Sequence, residues 1–184
     1  MERRVGATSE DGIATLLARE EIRQQLRNYC RGMDRADKDL VRSVWHADGT
    51  LDYALPGVGT PEQLIDHSWA YHAKQDVLLH RVLQVTIELE GTRAASEAYV
   101  LCGLYRQLDE GRMREMFAYA RYLDRWSRRE GRWAIDHRHA ILDLGGTRDI
   151  EGRFLPRHGR KDMTDPSYGF FADFRRGPGG GSAA

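Results

Sequence analysis

LHRVLQVTIEL (79–89), RAASEAYVLCGLYRQL (93–108), MREMFAYARYLDRWSR (113–128) and RWAIDHRHAILDL (132–144) are the four runs that decide the fold. Each is long and rich in Val, Ile, Leu, Tyr and Trp, the composition of a pleated, half-buried strand. The separators Glu90-Gly91-Thr92, Asp109-Glu110-Gly111 and Glu130-Gly131 are short and contain glycine, as hairpin loops do. The runs therefore read as a meander of antiparallel strands. Upstream the period changes. After a polar Ser9-Glu10-Asp11 start, Ile13, Leu16, Leu17, Ile22, Leu26, Tyr29 and Met33 recur at helical spacing, predicting a first helix that ends between Gly32 and Asp34. Leu40, Val41, Val44 and Trp45 predict a second short helix over 37–46, closed by an Ala47-Asp48-Gly49 turn and followed by a short strand over 50–55. Thr60, Pro61 and Glu62 supply a cap, a first-position proline and the start of a third helix running to about 74. Helices followed by a meander give an α+β fold, and strands this long must curl to cover the helices and leave a pocket.

The 184-residue chain has the size of one domain. Its 28 Lys and Arg balance 28 Asp and Glu, so no net field draws it to nucleic acid or an anionic membrane, and a small molecule or a second copy of the chain is the expected partner. No window is apolar enough to span a bilayer, and the N-terminus lacks a signal-peptide core, which predicts a soluble cytoplasmic protein. Cys30 and Cys102 sit in apolar surroundings without a metal or redox spacing and read as reduced core thiols. Residues 1–11 are expected to be a flexible N-terminus and 177–184 a disordered or appended tail. The segment 145–176 is expected to dock on the pocket mouth or a neighbouring subunit, because it carries Tyr168, Phe170, Phe171 and Phe174 in a polar context.

Asp34 closes an apolar helical stripe, where an inward carboxylate needs a partner; the alternative is a solvated helix end or a cap for the next helix. Tyr29 lies five positions earlier, about 140° away on an ideal helix, so the two share one pocket only if the helix loosens at Gly32 or the pocket wraps around its end. His80 opens a β run and is the best-suited proton carrier in the chain, against the alternative of an ordinary sheet histidine. Arg138, inside the last strand, needs an anion; an ion pair with Asp136 competes with a substrate oxygen. His137 and His139 have the spacing of half a metal site but no third ligand of evident spacing, so no metal is expected. No phosphate loop or nucleophile elbow is present in the sequence, and no cofactor is expected.

The order of a helix bearing Tyr29 and Asp34, then Leu51-Asp52-Tyr53, then Leu79-His80, then Glu130-Gly131-Arg132-Trp133 and Arg138 resembles the SnoaL-like branch of the nuclear-transport-factor-2-like superfamily over about 12–144. Members include scytalone dehydratase, bile-acid 7α-dehydratase, hexachlorocyclohexane dehydrochlorinase and ketosteroid isomerase, and the fold also serves as the small subunit of aromatic-ring dioxygenases. The resemblance implies a cone-shaped curved antiparallel sheet wrapped around the N-terminal helices, with an internal pocket. It also implies that Asp34 and His80 are the catalytic dyad of the dehydratases, that Tyr29 and Arg138 are oxygen-stabilising donors, and that Tyr53 contacts a substrate hydroxyl. The second histidine and the asparagine of scytalone dehydratase fall near Tyr105 and Tyr122 here, which argues against that enzyme's own substrate.

The resulting expectation is a cofactor-free lyase. His80 removes a substrate proton, Asp34 orients it, and water leaves, or formaldehyde leaves from an aromatic diol. Met33, Leu55, Trp69, Leu104, Met116 and Phe117, with Tyr53, Tyr105 and Tyr122, are the expected pocket wall for an apolar hydroxylated ring. The alternatives are a ketosteroid-type isomerase, a non-catalytic oxygenase subunit and a simple ligand-binding module. Tyr99, Tyr119, Trp126 and the C-terminal aromatics point to a homodimer or homotrimer.

Overall fold

The computed structural model describes residues 9–176; residues 1–8 of the N-terminal stretch and the tail 177–184 lie outside the described residues. In chain order it contains α1 (Ser9–Asp34), α2 (Lys38–Ser43), β1 (Trp45–Asp52), α3 (Pro61–His72), β2 (Val77–Glu90), β3 (Arg93–Asp109), β4 (Arg112–Arg129), β5 (Arg132–Glu151) and α4 (Pro166–Arg176). The strands form one curved, unclosed sheet in the order β1-β5-β4-β3-β2. As predicted, β2 to β5 are an antiparallel meander. The first strand departs from the prediction: β1 joins the edge parallel to β5, with Leu51 opposite Arg138.

Several boundaries also move. Residues 9–11, expected to be flexible, form the first turn of α1, where the carboxylates of Glu10 and Asp11 favour the positive helix end. The second helix stops at Ser43, and Trp45 pairs with Ile135 instead of continuing it. Ala47, Asp48 and Gly49 lie within β1, at an irregularity in its register rather than in a turn between elements. Thr60 caps α3 as predicted, with the Gln63 side chain accepting from the Thr60 N–H in return. β5 runs to Glu151, past the predicted end at 144.

Bulges between Val82 and Val85, between Tyr119 and Ala120 and between Arg125 and Trp126 bend the long strands. On the inner face, Val85, Ala98, Tyr122 and Ala140 share one cross-strand row and Val82, Val100 and Ala120 another. This face covers the buried stripe Ile22, Leu26, Tyr29, Cys30 and Met33 of α1, which also packs with Val41 of α2, Val44 just after it, and Leu64 and Ile65 of α3. The outer face leaves Leu83, Tyr99, Tyr119 and Leu144 exposed. None of the described helices is long and apolar enough to cross a membrane.

The C-terminal extension turns back to the helical end of the sheet. Arg31 donates to Ser167 Oγ (3.0 Å) and Tyr168 to Asp37 Oδ2 (2.9 Å). Lys161 Nζ donates to the carbonyl oxygens of His72 (3.2 Å), Ala73 (3.3 Å) and Gln75, at the C-terminus of α3. The segment after β5 is thereby tied to the ends of α1 and α3, while Phe170 and Phe174 of α4 stay exposed.

Candidate active site

Asp34 is the last residue of α1 and His80 the fourth of β2. One carboxylate oxygen, Asp34 Oδ1, accepts both from the His80 backbone N–H (2.8 Å) and from ring Nδ1 (2.7 Å). Two donors on one oxygen fix the carboxylate, and a carboxylate can only accept, so Nδ1 carries the proton. The second ring nitrogen is left free of Asp34. Both side chains are largely buried, 15% exposed for Asp34 and 7% for His80. Burial alone would depress the imidazolium, but the Asp34 carboxylate, with Cys102 beside the ring, outweighs it, and the His80 pKa is raised to about 10.

His80 lies between two cavities. On the inner side is a cavity of about 340 Å³ bounded by α1, α3 and the inner face of the sheet. Tyr29, Met33, Tyr53, Leu55, Leu64, Leu104, Met116, Tyr122 and Leu142 give it an apolar wall, with His80, His72, Ser68, His67 and Cys102 as further lining residues. On the outer side is a polar groove of about 330 Å³ that reaches Asp34 and His80 past Arg27, Arg31 and Arg35. Tyr29 therefore faces His80 from the inner cavity while Asp34 holds it from the groove side. The helix does not need to loosen at Gly32: α1 is continuous through Asp34, and the histidine spans the gap in helical phase between the two residues.

Tyr29 and Tyr53 are joined through their hydroxyls (2.9 Å), and burial pushes both phenols up, so both remain protonated donors. Tyr122 meets Tyr29 edge-on at 5.7 Å between ring centroids. Arg138 stands behind this aromatic wall. Its guanidinium is fully buried, forked onto Asp124 (2.7 and 2.9 Å), and stacked 4.0 Å over the Tyr122 ring and 4.4 Å over that of Tyr29. The competing ion-pair reading thus holds in kind with a different partner: Asp124 faces Arg138 directly across β4 and β5, whereas Asp136 takes Arg129 and Ser127. Arg138 reaches the site through Tyr53, donating to its oxygen at 3.5 Å. Of the two phenolic protons, one lies between the Tyr29 and Tyr53 hydroxyls and the other is free to point into the cavity.

Of the expected pocket wall, Tyr53, Met33, Leu55, Tyr122, Leu104 and Met116 line the inner cavity. Tyr105 and Phe117 lie on the opposite face. Each follows an inward residue, Leu104 and Met116, and successive strand side chains alternate. Tyr105 donates to Glu115 (2.8 Å) and Phe117 lies under the Arg148 guanidinium. Trp69 packs against the core next to His72 and beneath Lys38. His137 and His139 pair with Thr50 and Asp52 of β1, and no group of three or more metal-ligating side chains occurs among the described residues.

Sequence reasoning missed His72, Ser68 and Cys102. Leu64, Ser68 and His72 repeat every four residues along the buried face of α3, a spacing that was available to read. Cys102 sits directly opposite His80, a pairing set by the β2 bulge and not visible before it.

No curated protein matches the chain. Solved structures similar to it include a hexachlorocyclohexane dehydrochlorinase, LinA type 2 (17% identity, 79% of this chain and 97% of that one, TM-score 0.64). A scytalone dehydratase-like protein of Novosphingobium aromaticivorans is 18% identical over 79% of this chain and 96% of that one, with a TM-score of 0.62. A third, from the same organism, is the beta subunit of a protein provisionally named an aromatic-ring-hydroxylating dioxygenase (17%, 71% and 92%, TM-score 0.56). At these identities the likeness is one of fold, the nuclear-transport-factor-2-like cone. The SnoaL-like domain matches residues 14–139, most of the chain including Asp34, His80, the tyrosines and Arg138, so the protein belongs to the SnoaL-like family.

Proposed function

We propose that this protein is a cofactor-free lyase that eliminates water, or formaldehyde from an aromatic diol, from an apolar ring compound bearing a hydroxyl. The observation that carries the reading is His80, held at Nδ1 by Asp34 and lining an apolar cavity whose other polar groups include the Tyr29 and Tyr53 hydroxyls. In the empty site the Asp34 carboxylate keeps His80 an imidazolium across the neutral range. A bound apolar ring shields the free nitrogen from solvent, lowers the pKa and releases the base form. For loss of water, His80 takes a proton from the substrate carbon. The electron pair of the broken C–H bond forms the new double bond as the C–O bond breaks, and the leaving hydroxide takes the proton back from the imidazolium as water. For loss of formaldehyde, His80 takes the proton of the hydroxymethyl O–H. That pair becomes the C=O bond of formaldehyde as the C–C bond breaks, and the C–C pair passes into the quinone methide of the substrate, whose ring oxygen takes up the charge. Asp34 stabilises the imidazolium that results. The Tyr29–Tyr53 pair, which holds one proton between its two hydroxyls, donates its remaining proton to the oxygen on which charge develops, with Arg138 and Asp124 fixing Tyr53.

The test uses a fused-ring β-hydroxy ketone and an aromatic hydroxymethyl diol. The readouts are the ultraviolet absorbance of the new conjugated double bond and trapped formaldehyde. If wild type turns over either compound, His80→Ala and Asp34→Asn are expected to lose at least about 10²-fold in kcat. Both variants staying within tenfold of wild type would sink the dyad. Solvent deuterium entering a ring ketone without loss of a leaving group would replace elimination by isomerisation.

A further inference from the structure

His72 is unusual among the polar residues of the cavity. It is the last residue of α3, is 7% exposed, lines the inner cavity, and its ring centroid lies 5.8 Å from that of His80 at a tilt of 52°. Its ring atom Nδ1 is buried and has no hydrogen-bond partner. A buried ring nitrogen without a partner loses about 1–3 kcal/mol relative to one that is satisfied, and the site keeps it beside the proposed base.

The surroundings also fix the charge of the ring. A histidine at a helix C-terminus is ordinarily drawn toward the protonated form by the free carbonyls there. Here the Lys161 ammonium occupies the carbonyls of His72, Ala73 and Gln75. Burial, the neighbouring His80 and Lys161 together bring the His72 pKa down to about 4. The two histidines that share the cavity are therefore held in opposite charge states at neutral pH, the pattern that separates roles within a site. A neutral imidazole donates from one nitrogen and accepts at the other.

We infer that His72 is a substrate-contacting residue, a neutral imidazole whose ring turns on binding so that Nδ1, closed off and unpartnered in the structure, hydrogen-bonds a hydroxyl of the bound ring compound. This deepens the lyase reading and rests on its assignment of the inner cavity as the substrate site. It narrows the substrate class to ring compounds that carry a hydroxyl within reach of α3 while presenting the reacting carbon to His80. A purely apolar ring, or one with its oxygen only on the Tyr29 and Tyr53 side, leaves the His72 nitrogen unsatisfied and is selected against.

The test is binding, with β-naphthol and naphthalene as probes of the full-length protein. The ratio of their dissociation constants, compared between variants, cancels the different hydration of the probes. His72→Phe is expected to move that ratio against β-naphthol by about tenfold, the size of one hydrogen bond, and His72→Gln to recover most of it. In wild type, NMR of isotope-labelled histidine is expected to show the His72 ring nitrogens shifting with β-naphthol and staying put with naphthalene. An unchanged ratio in folded His72→Phe overturns the inference, and so do unmoved His72 signals in wild type or failure of β-naphthol to bind at all. The two readings fail separately. A wild type that turns over nothing, with the ratio following His72, removes only the lyase assignment. Turnover that depends on His80, with a ratio indifferent to His72, removes only this inference.

Discussion

Asp34 Oδ1 takes two hydrogen bonds from one residue, the amide and the ring of His80, and this concentrates control of the site's proton chemistry in a single atom. The carboxylate favours the imidazolium, so the base form of His80 accumulates only as pH rises. In wild type, kcat/KM is therefore expected to climb through the neutral range toward the raised His80 value of about 10. Asp34→Asn removes the charge but keeps an acceptor in the same place. It should lower the plateau and also move the inflection to lower pH, by roughly one to three units. A pH profile of kcat/KM for both proteins checks this. An inflection that stays put while the plateau falls would mean that the titrating group is not His80. The same reasoning explains why Arg138 reads differently before and after the structure. An inward guanidinium on β5 needs an anion, but only the β4–β5 register reveals that the anion is Asp124, which places Arg138 behind the tyrosines as their support.

At the scale of elements, the helices and hairpins were legible because their signals are local: glycine loops between long strands, the Thr60-Pro61 cap, the apolar period of α1. What was not legible depends on register. In β2 the inward residues are Val85 and Ile87 toward the hairpin but Val82, His80 and Leu78 beyond it, a change of parity imposed by the bulge between Val82 and Val85. Extending the Ile87 alternation without a bulge would turn Arg81 inward and His80 out to the exposed face. The pairing of Asp34 with His80 therefore needs the bulge, and no residue in 82–85 announces it. β1 was misplaced for a similar reason. Its pairing is parallel to the distant β5, and the Ala47-Asp48-Gly49 stretch looks like a turn unless that partner is known. Gly32 was marked as a possible loosening point of α1, but its role is close approach. A Cβ there would come 2.7 Å from Val41 Cγ2, 3.0 Å from Val41 N and 3.1 Å from Asp37 O. Ala replacing Gly inside an exposed helix usually gains about 1 kcal/mol. Gly32→Ala is expected to lose about 1–3 kcal/mol instead, because α2 must move off α1, and denaturant unfolding measures the sign directly. A gain in stability would show that α2 yields without cost and that the contact does not set the position of Asp34.

For the whole molecule, the two cavity histidines link folding to pH in opposite directions. His72 titrates at about 4 in the folded chain, below its ordinary value of 6.5, so between those values the unfolded chain binds more protons. Stability is full above about 6.5 and falls as pH drops toward 4. His80 titrates at about 10, so the folded chain keeps a proton that the unfolded chain releases above 6.5. Its contribution is full below about 6.5 and disappears as pH rises through 10. Asp165, which accepts from Ser167 and the Arg160 amide and faces Arg35, is lowered to about 2. It adds stability present above its ordinary value of 3.8 and lost only as pH falls through 2. Together these groups place the maximum near pH 6.5, with the two limbs assigned to different histidines. Urea midpoints measured from about pH 4.5 to 9.5 are expected to fall on both sides. His72→Gln should flatten the acid limb and leave the alkaline one, and His80→Gln should do the reverse. If His80→Gln leaves the alkaline limb as steep as in wild type, the folded chain does not hold a proton on that ring. The charge asymmetry between the two histidines, on which the pH–rate behaviour depends, would then have to be abandoned.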